Sequence, residues 1–164
     1  MTDSSNHSIQ ISPITSHDLD AVCAIQAACY PAGFLEARAV FARKLMLSPD
    51  SHWLAKIDGE PVGYFFTHPW AGNTPPELDQ EIAALPPKPD CHFLHDLSLI
   101  PSARGRGVAQ ALIQTALSWG EIQGYGRTLL VAVQGSVPFW QRWGFVSLSA
   151  APAYGPDAAL MQRV

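Results

Sequence analysis

A turn rich in glycine and arginine, at residues 104–109, constrains the fold of this chain more than any other stretch. It reads Arg-Gly-Arg-Gly-Val-Ala and lies between a strand-like run, 93–100, and a helix-like run, 108–119. A glycine-rich turn that opens a helix presents free backbone N–H groups at the positive end of the helix dipole. Two arginines in the turn add charge that suits a diphosphate. The turn therefore predicts a strand–turn–helix unit that binds a phosphate or pyrophosphate.

The spacing of this turn excludes two common nucleotide motifs. It has neither the three-glycine spacing of a dinucleotide fingerprint nor the Gly-Lys-Ser/Thr of a P-loop. A solvated basic turn is the alternative explanation for the turn taken alone. The sequence around it favours the phosphate site.

Hydrophobic periodicity predicts an α/β chain with seven strands and four helices. Asp58-Gly59 indicates a two-residue hairpin turn between two strands. The second helix carries Val40, Phe41, Lys44 and Leu45 along one side. In chain order the predicted elements are a strand at 9–13, a helix from the start signal at 15–18 to about 30, a helix at 36–47, strands at 52–57, 61–68 and 92–100, a helix at 108–119, a strand at 127–133, a helix at 137–143, a strand from 145 and a last strand within 158–164.

The length of 164 residues predicts a single domain, residues 1–164, with a tail at residues 1–8. A proline-rich connection at 69–90 interrupts it and has room for one short helix at 77–85. Long connections of this kind tend to be functional or mobile.

Composition indicates a globular protein with no bulk charge signal for nucleic acid. Hydrophobic residues make up 48% and charged residues 15%, and the net charge is −4. Cys23, Cys29 and Cys91 have no paired spacing, so we predict buried free thiols and no metal site. The polar first eight residues and the lack of an 18-residue apolar run predict a cytoplasmic protein without membrane contact.

Two segments around the turn resemble a known family. His95-Asp96-Leu97-Ser98-Leu99 precedes the turn, and a run from Val137 to Phe145, Val-Pro-Phe-Trp-Gln-Arg-Trp-Gly-Phe, follows it. With the turn, they resemble the GCN5-related N-acetyltransferase (GNAT) superfamily, and within it the arylalkylamine, or serotonin-type, branch. The resemblance implies a single-domain fold with a mixed, mostly antiparallel sheet of six to seven strands flanked by about four helices.

Acetyl-coenzyme A is the co-substrate that the resemblance implies. In the family, the strand before the turn pairs its backbone with the pantetheine arm, and the amides of the turn hold the pyrophosphate. A backbone N–H near Leu99 is then a candidate oxyanion donor. The implied coenzyme-binding residues are Leu97, Ser98, Leu99, Arg104, Gly105, Arg106, Gly107, Val108, Ala109, Gln110 and Phe139.

An amine acceptor requires a proton acceptor, because an alkylamine with a pKa of roughly 10.4 arrives protonated at neutral pH. His95 matches one of the two histidines with which the arylalkylamine branch relays that proton, and Phe93 occupies the position of the other. A structural strand histidine is the alternative for His95. Strand alternation predicts that Asp96 faces away from His95.

Trp140 occupies the position where most family members carry a tyrosine that protonates the departing thiolate. Indole has only an N–H donor and cannot replace that acid. Since a thiol pKa near 8.5 makes thiolate a tolerable leaving group, we expect Trp140 to shape the site or donate one hydrogen bond to sulfur. A core tryptophan is the alternative.

Aromatic residues lie where this fold builds its acceptor pocket, and each could instead be a core residue. Glu36 and Asp96 are candidates to hold an ammonium group. The predicted substrate-binding residues are Tyr30, Phe34, Phe66, His68 and Phe93.

The leading functional hypothesis is acetyl-coenzyme A-dependent N-acetylation of a small primary amine, arylalkylamine- or polyamine-like. The alternatives are a protein lysine or N-terminal acetyltransferase, and a non-catalytic acyl-coenzyme A-binding domain. We predict a monomer or homodimer whose partner is the small-molecule amine.

Overall fold

Seven strands form one sheet in a computed structural model that describes residues 8–164. The predicted tail at 1–8 lies outside this range except for Ser8. Strand order is β1-β2-β3-β4-β5-β7-β6, and β4 with β5 is the parallel pair in an otherwise antiparallel sheet. The strands are β1 Ile9–Pro13, β2 His52–Ile57, β3 Glu60–Trp70, β4 Cys91–Leu99, β5 Thr128–Ala132, β6 Val146–Ala150 and β7 Ala159–Arg163.

Four α-helices cover the two faces of this sheet. They are α1 Leu19–Cys29, α2 Arg38–Leu47, α3 Val108–Gln123 and α4 Val137–Gln141. One core lies between the sheet and α1 and α2, and a larger core lies between the sheet and α3 and α4. This confirms the predicted fold class and element order. Within residues 8–164, no helix is both long and apolar enough to cross a bilayer.

The hairpin at Asp58-Gly59 is confirmed by its backbone. Asp58 has φ 51° and Gly59 has φ 83°. A type I′ turn needs positive φ at both central residues, and its twist matches that of the flanking strands. β2 and β3 therefore pair as a hairpin, with β3 extending to Trp70.

The predicted end of α3 at Trp119 is wrong, because the helix continues through Gly120 to Gln123. Gly124 ends it in the left-handed conformation, with φ 87°. Gly120 lies inside the helix because its missing side chain leaves room for His92 of β4. A Cβ atom at position 120 would lie 2.6 Å from His92 Nδ1.

The short helix predicted at 77–85 is absent, since none of the residues 71–90 is helical. Side chains from elsewhere bind three carbonyl groups in and beside this stretch. Arg43 donates to the carbonyls of Ile82, at 2.9 Å, and Ala83, and the Tyr154 hydroxyl donates to that of Pro76. The segment is therefore held extended against α2.

A β-bulge in β4 sets the geometry of the site. Phe66 of β3 pairs with Asp96 and Thr67 pairs with Leu94, so His95 is an extra residue without a partner. A bulge places two consecutive side chains on one side of the strand. The predicted alternation is therefore wrong from this point on, because His95 and Asp96 share the face covered by α1 and α2.

Replacing Gly120 with alanine tests the close approach of α3 to β4. His92 cannot move aside easily, since its Nε2 lies 2.7 Å from Thr67 Oγ1 and its ring packs on Trp119 with centroids 5.0 Å apart. Overpacking costs about 1–3 kcal/mol, whereas alanine adds about 1 kcal/mol of helix propensity. We expect a net loss of unfolding free energy of up to about 2 kcal/mol, measured by urea denaturation.

Gly126→Ala is the matched control, because no atom lies within 4 Å of a Cβ there. Its stability should stay within about 0.5 kcal/mol of wild type. Equal stability of the two variants would contradict the close-packing argument.

Candidate functional site

The separation of β4 from β5 opens the sheet on the side of the glycine-rich turn. The two strands pair only from His92–Leu94 to Thr128–Leu130, while β4 continues to Leu99. Past the paired segment lies a cleft of about 450 Å³, here named the turn cleft. Its lining residues are Cys29, Tyr30, Leu97, Ser98, Leu99, Arg104, Gly105, Gly107, Val108, Ala109, Gln110, Gln134 and Phe139.

The N-terminus of α3 forms one wall of the turn cleft. Gly107 caps this 16-residue helix with φ 84° and no side-chain cap bond. The first helical turn leaves its backbone N–H groups without intrahelical acceptors, so those of Val108, Ala109 and Gln110 can bind a ligand. Arg104 lines the same wall. The predicted phosphate cradle and the open cleft thus coincide.

Ten of the eleven residues predicted to bind coenzyme line this cleft, and Arg106, which is exposed, does not. Two further lining residues, Cys29 and Gln134, were missed, and Tyr30 was predicted to bind substrate. Cys29 lies there because its thiol donates to the Leu99 carbonyl at 3.0 Å, which ties the end of α1 to β4. Gln134 lies there in the left-handed conformation, with φ 53°. The glycine that follows it, Gly135, is the sequence signal for a turn after β5.

A second cavity, here named the inner cavity, occupies about 540 Å³ beside the turn cleft. Tyr30 and Gln134 line both spaces. A molecule in one can therefore reach a molecule in the other at this junction. The other lining residues of the inner cavity are Gln26, Pro31, Phe34, Glu36, Leu78, His95, Asp96, Val131, Val133, Tyr154, Gly155, Pro156, Asp157 and Ala158.

His95 enters the inner cavity as the end of a hydrogen-bonded chain. His68 Nδ1 lies 2.9 Å from the Pro69 carbonyl oxygen, and His68 Nε2 lies 3.2 Å from His95 Nδ1. A carbonyl only accepts, so His68 carries its proton on Nδ1 and its Nε2 accepts from His95 Nδ1–H. His95 Nε2 is then the basic nitrogen, and it is buried without a partner.

Burial keeps both imidazoles neutral at physiological pH. Desolvation lowers the pKa of His68 to about 4, and desolvation followed by the charge of Lys44 lowers the pKa of His95 well below its usual value. His95 thus presents a lone pair across the whole neutral range. The sequence analysis predicted one histidine of a two-histidine relay, His95. The structure places a second histidine, His68, beside it, and this residue comes from β3 and not from β4.

Asp96 lies beside His95, which corrects the prediction that it faces away. Its Oδ2 accepts a hydrogen bond from the Tyr64 hydroxyl and its Oδ1 one from Ser98, both at 3.1 Å. Burial raises the pKa of this carboxyl, and Lys44 and the two hydroxyls oppose that rise. A cation in the inner cavity would stabilise its ionised form.

Of the residues predicted to bind substrate, Tyr30 and Phe34 line the inner cavity. Phe66 and Phe93 are buried behind it, at 0% and 1% exposure. Phe93 stacks on His68 with ring centroids 5.6 Å apart. It therefore contacts the hydrogen-bonded pair of His68 and His95. His68 reaches the cavity through His95 alone.

Trp140 lies in the core under α3, at 8% exposure. Its ring contacts Phe139 and Phe145, with centroids 5.0 and 5.6 Å away. Of the segment 137–145, Phe139 is the residue that lines the turn cleft. The packing of Trp140 therefore supports the shape of this wall.

Comparison with known proteins agrees with this geometry. A sequence model of the acetyltransferase (GNAT) family matches residues 19–145. No curated protein sequence matches the chain significantly.

Solved structures share the fold at low sequence identity. The GphF GNAT-like decarboxylase, solved with isobutyryl-CoA, is 18% identical with a TM-score of 0.81, covering 94% of this chain and 98% of that one. The loading GNATL domain of CurA from Lyngbya majuscula is 13% identical with a TM-score of 0.82, covering 95% and 97%. The ribosomal-protein-S18-alanine N-acetyltransferase from Escherichia coli is 16% identical with a TM-score of 0.69, covering 95% and 93%.

Gly107→Glu tests the phosphate cradle. A carboxylate at the helix N-terminus would occupy and repel the position of a pyrophosphate, so we expect at least about a hundredfold loss of acetyl-coenzyme A affinity by calorimetry. Gly124→Glu is the matched control, since Gly124 has the same left-handed backbone at the other end of α3. Unchanged affinity in a folded Gly107→Glu protein would overturn the cradle.

Proposed function

Because this chain belongs to the acetyltransferase (GNAT) family, we propose that it transfers the acetyl group of acetyl-coenzyme A to a small primary amine. The observation that carries the proposal is the unpartnered His95 Nε2 in a cavity that joins the turn cleft. The turn cleft would hold the coenzyme and the inner cavity the amine. The resemblance to the arylalkylamine branch and the apolar walls of the inner cavity support this choice of acceptor.

The proposed reaction begins with removal of the amine proton. An ammonium enters the inner cavity, where Asp96 stabilises its charge, and it gives a proton to His95 Nε2, directly or through water. The chain from His95 Nδ1 through His68 to the Pro69 carbonyl fixes the tautomer and orients the ring. The resulting imidazolium is short-lived, since burial disfavours its charge.

The neutral amine then attacks the thioester carbonyl at the junction of the two spaces. The C–N bond forms, the nitrogen of the tetrahedral intermediate gives its second proton to water, the C–S bond breaks as the intermediate collapses, and coenzyme A leaves as thiolate. The imidazolium of His95 then passes its proton to water. The backbone N–H near Leu99 is the proposed oxyanion donor. A thiol pKa near 8.5 lets the thiolate depart without an acid at position 140.

A protein N-terminus is the second candidate acceptor. Phe34 and Leu78 line the inner cavity while remaining 75% and 44% exposed. Such an exposed apolar rim suits an acceptor longer than the cavity. The fold shared with the Escherichia coli enzyme is consistent with this candidate and does not by itself favour it.

A thiol-release assay with acetyl-coenzyme A distinguishes the candidates. The acceptor panel comprises tryptamine, phenethylamine, spermidine, a lysine peptide and a peptide with a free N-terminus. The proposal expects the highest kcat/KM for a small amine. Highest activity on a peptide would replace it with the second candidate, and coenzyme binding without turnover on any acceptor would indicate a non-catalytic domain.

His95→Ala tests the proton acceptor. General acid–base groups contribute about 10²–10⁴-fold, so we expect a kcat loss in that range with unchanged acetyl-coenzyme A affinity. Because free amine becomes abundant as the pH approaches the amine pKa, the loss should shrink at high pH. In wild type, the lowered pKa of His95 predicts that histidine protonation does not reduce the rate until well below pH 6.5. A variant with the wild-type rate near pH 7 would make His95 structural.

His68→Phe tests the positioning role of the second histidine. Phenylalanine keeps the ring in the stack with Phe93 but cannot accept from His95 Nδ1–H. We expect kcat to fall by up to about 10², KM for the amine to change little, and the acid limb of the pH profile to move. A loss of stability without any shift in that profile would contradict the positioning role.

A further inference from the structure

The charged groups of the inner cavity do not cancel, and their imbalance limits which amines can bind. Glu36 and Asp96 line the cavity, and Lys44 is the buried cation that faces them. We propose that the cavity selects amines that carry one positive charge and an uncharged apolar body, and that it disfavours diamines and rejects amines with a carboxylate. This inference rests on the proposed function and names its substrate class.

Glu36 is held rigidly in the cavity wall. The Gln26 side chain is 3% exposed and binds the backbone of Glu36 twice. Its Nε2 donates to the Glu36 carbonyl at 3.1 Å, and its Oε1 accepts from the Glu36 N–H at 2.7 Å. An amide that satisfies both backbone groups fixes the carboxylate in place.

Lys44 neutralises Glu36. Its Nζ lies 3.6 Å from Glu36 Oε2, and the two side chains are 1% and 13% exposed. The ammonium also lies 5.9 and 6.0 Å from the ring centroids of Phe41 and Phe66, a favourable contact for a buried cation. Neither Glu36 Oε2 nor Lys44 Nζ has a hydrogen-bond partner, so opposite charge in a buried site holds the pair together.

Asp96 is left without a cation of its own. Two hydroxyls, from Tyr64 and Ser98, donate to it, and within residues 8–164 no ammonium or guanidinium lies within 4.0 Å. His68 is neutral because its Nε2 accepts a hydrogen bond, and burial without a partner for Nε2 disfavours the charged form of His95. Asp157 is exposed at the rim. One carboxylate is therefore free for one ammonium.

Apart from Asp157, which is exposed to solvent at the rim and so binds an ammonium only weakly, the remaining walls offer no carboxylate to a second ammonium. Phe34, Leu78, Val131, Val133 and Tyr154 surround the volume beyond Asp96. A second ammonium would meet a carboxylate already paired with Lys44 and would lose its hydration. A carboxylate on the acceptor would lie near two buried carboxylates, with the only nearby cation already paired.

Three acceptors of one chain length test this proposal: hexylamine, 1,6-diaminohexane and 6-aminohexanoate. Each carries its amine on five methylene groups, and they differ in the distal group, which is methyl, ammoniomethyl or carboxylate. Binding is measured by calorimetry to the protein saturated with coenzyme A, and kcat/KM is measured in parallel with acetyl-coenzyme A. We expect hexylamine to bind best, the diamine about tenfold weaker after correction for its two equivalent amines, and the amino acid about a hundredfold weaker or more.

Variants of the Lys44–Glu36 pair separate charge from shape. Lys44→Met leaves Glu36 unpaired, so the diamine should become the preferred ligand. Lys44→Met combined with Glu36→Gln removes both charges and should restore the wild-type order. If Lys44→Met does not fold, Glu36→Gln alone tests the proposal. It leaves the Lys44 ammonium unpaired, so the affinity for 6-aminohexanoate relative to hexylamine should rise by at least about tenfold.

The outcomes separate this inference from the proposed function. The expected binding order without acetylation would support the charge argument and reject the proposed activity. Acetylation with the diamine or the amino acid bound as well as hexylamine would reject the charge argument alone. Failure of all three amines to bind the loaded protein would also overturn it.

Discussion

The bulge at His95 is the constraint on which the rest of the site depends. One extra residue in β4 places His95 and Asp96 on the same face, next to His68 and Tyr64 of the neighbouring strand. A regular strand would have turned one of the two toward α3. The same bulge directs Leu97 into the core under α3. The proposed base, the proposed ammonium site and the cleft wall all depend on it.

Burial determines what the titratable groups of the inner cavity do. The same desolvation that keeps His95 and His68 neutral makes an isolated charge unfavourable, so Lys44 and Glu36 occur as a pair. Asp96 is stabilised by the charge of Lys44, which is not in direct contact with it, and by two hydroxyl donors. The result is a base of low pKa beside a carboxylate that is stabilised by a cationic ligand. This combination suits an acceptor that arrives protonated and must react as a neutral amine.

Much of the fold follows from local signals. Asp58-Gly59 demanded a particular turn, alternation identified the strands, and Gly107 with Val108 marked the start of α3. The errors occur where tertiary contacts overrode local preference. Gly120 lies inside a helix because its missing side chain leaves room for His92, and residues 77–85 form no helix but are bound to α2 through Arg43. Both contacts join residues that are far apart in the chain, so no local sequence pattern predicts them.

By itself, the sequence determined the family, the fold class and the phosphate cradle, because each depends on residues adjacent in the chain. Ten of the eleven predicted coenzyme contacts line the turn cleft for that reason. Only the tertiary structure decided which residues line the inner cavity. His68 and His95 are 27 residues apart and Glu36 and Lys44 meet across a helix start. A one-residue bulge reverses which side chains share a face, and no pattern of alternation can report it.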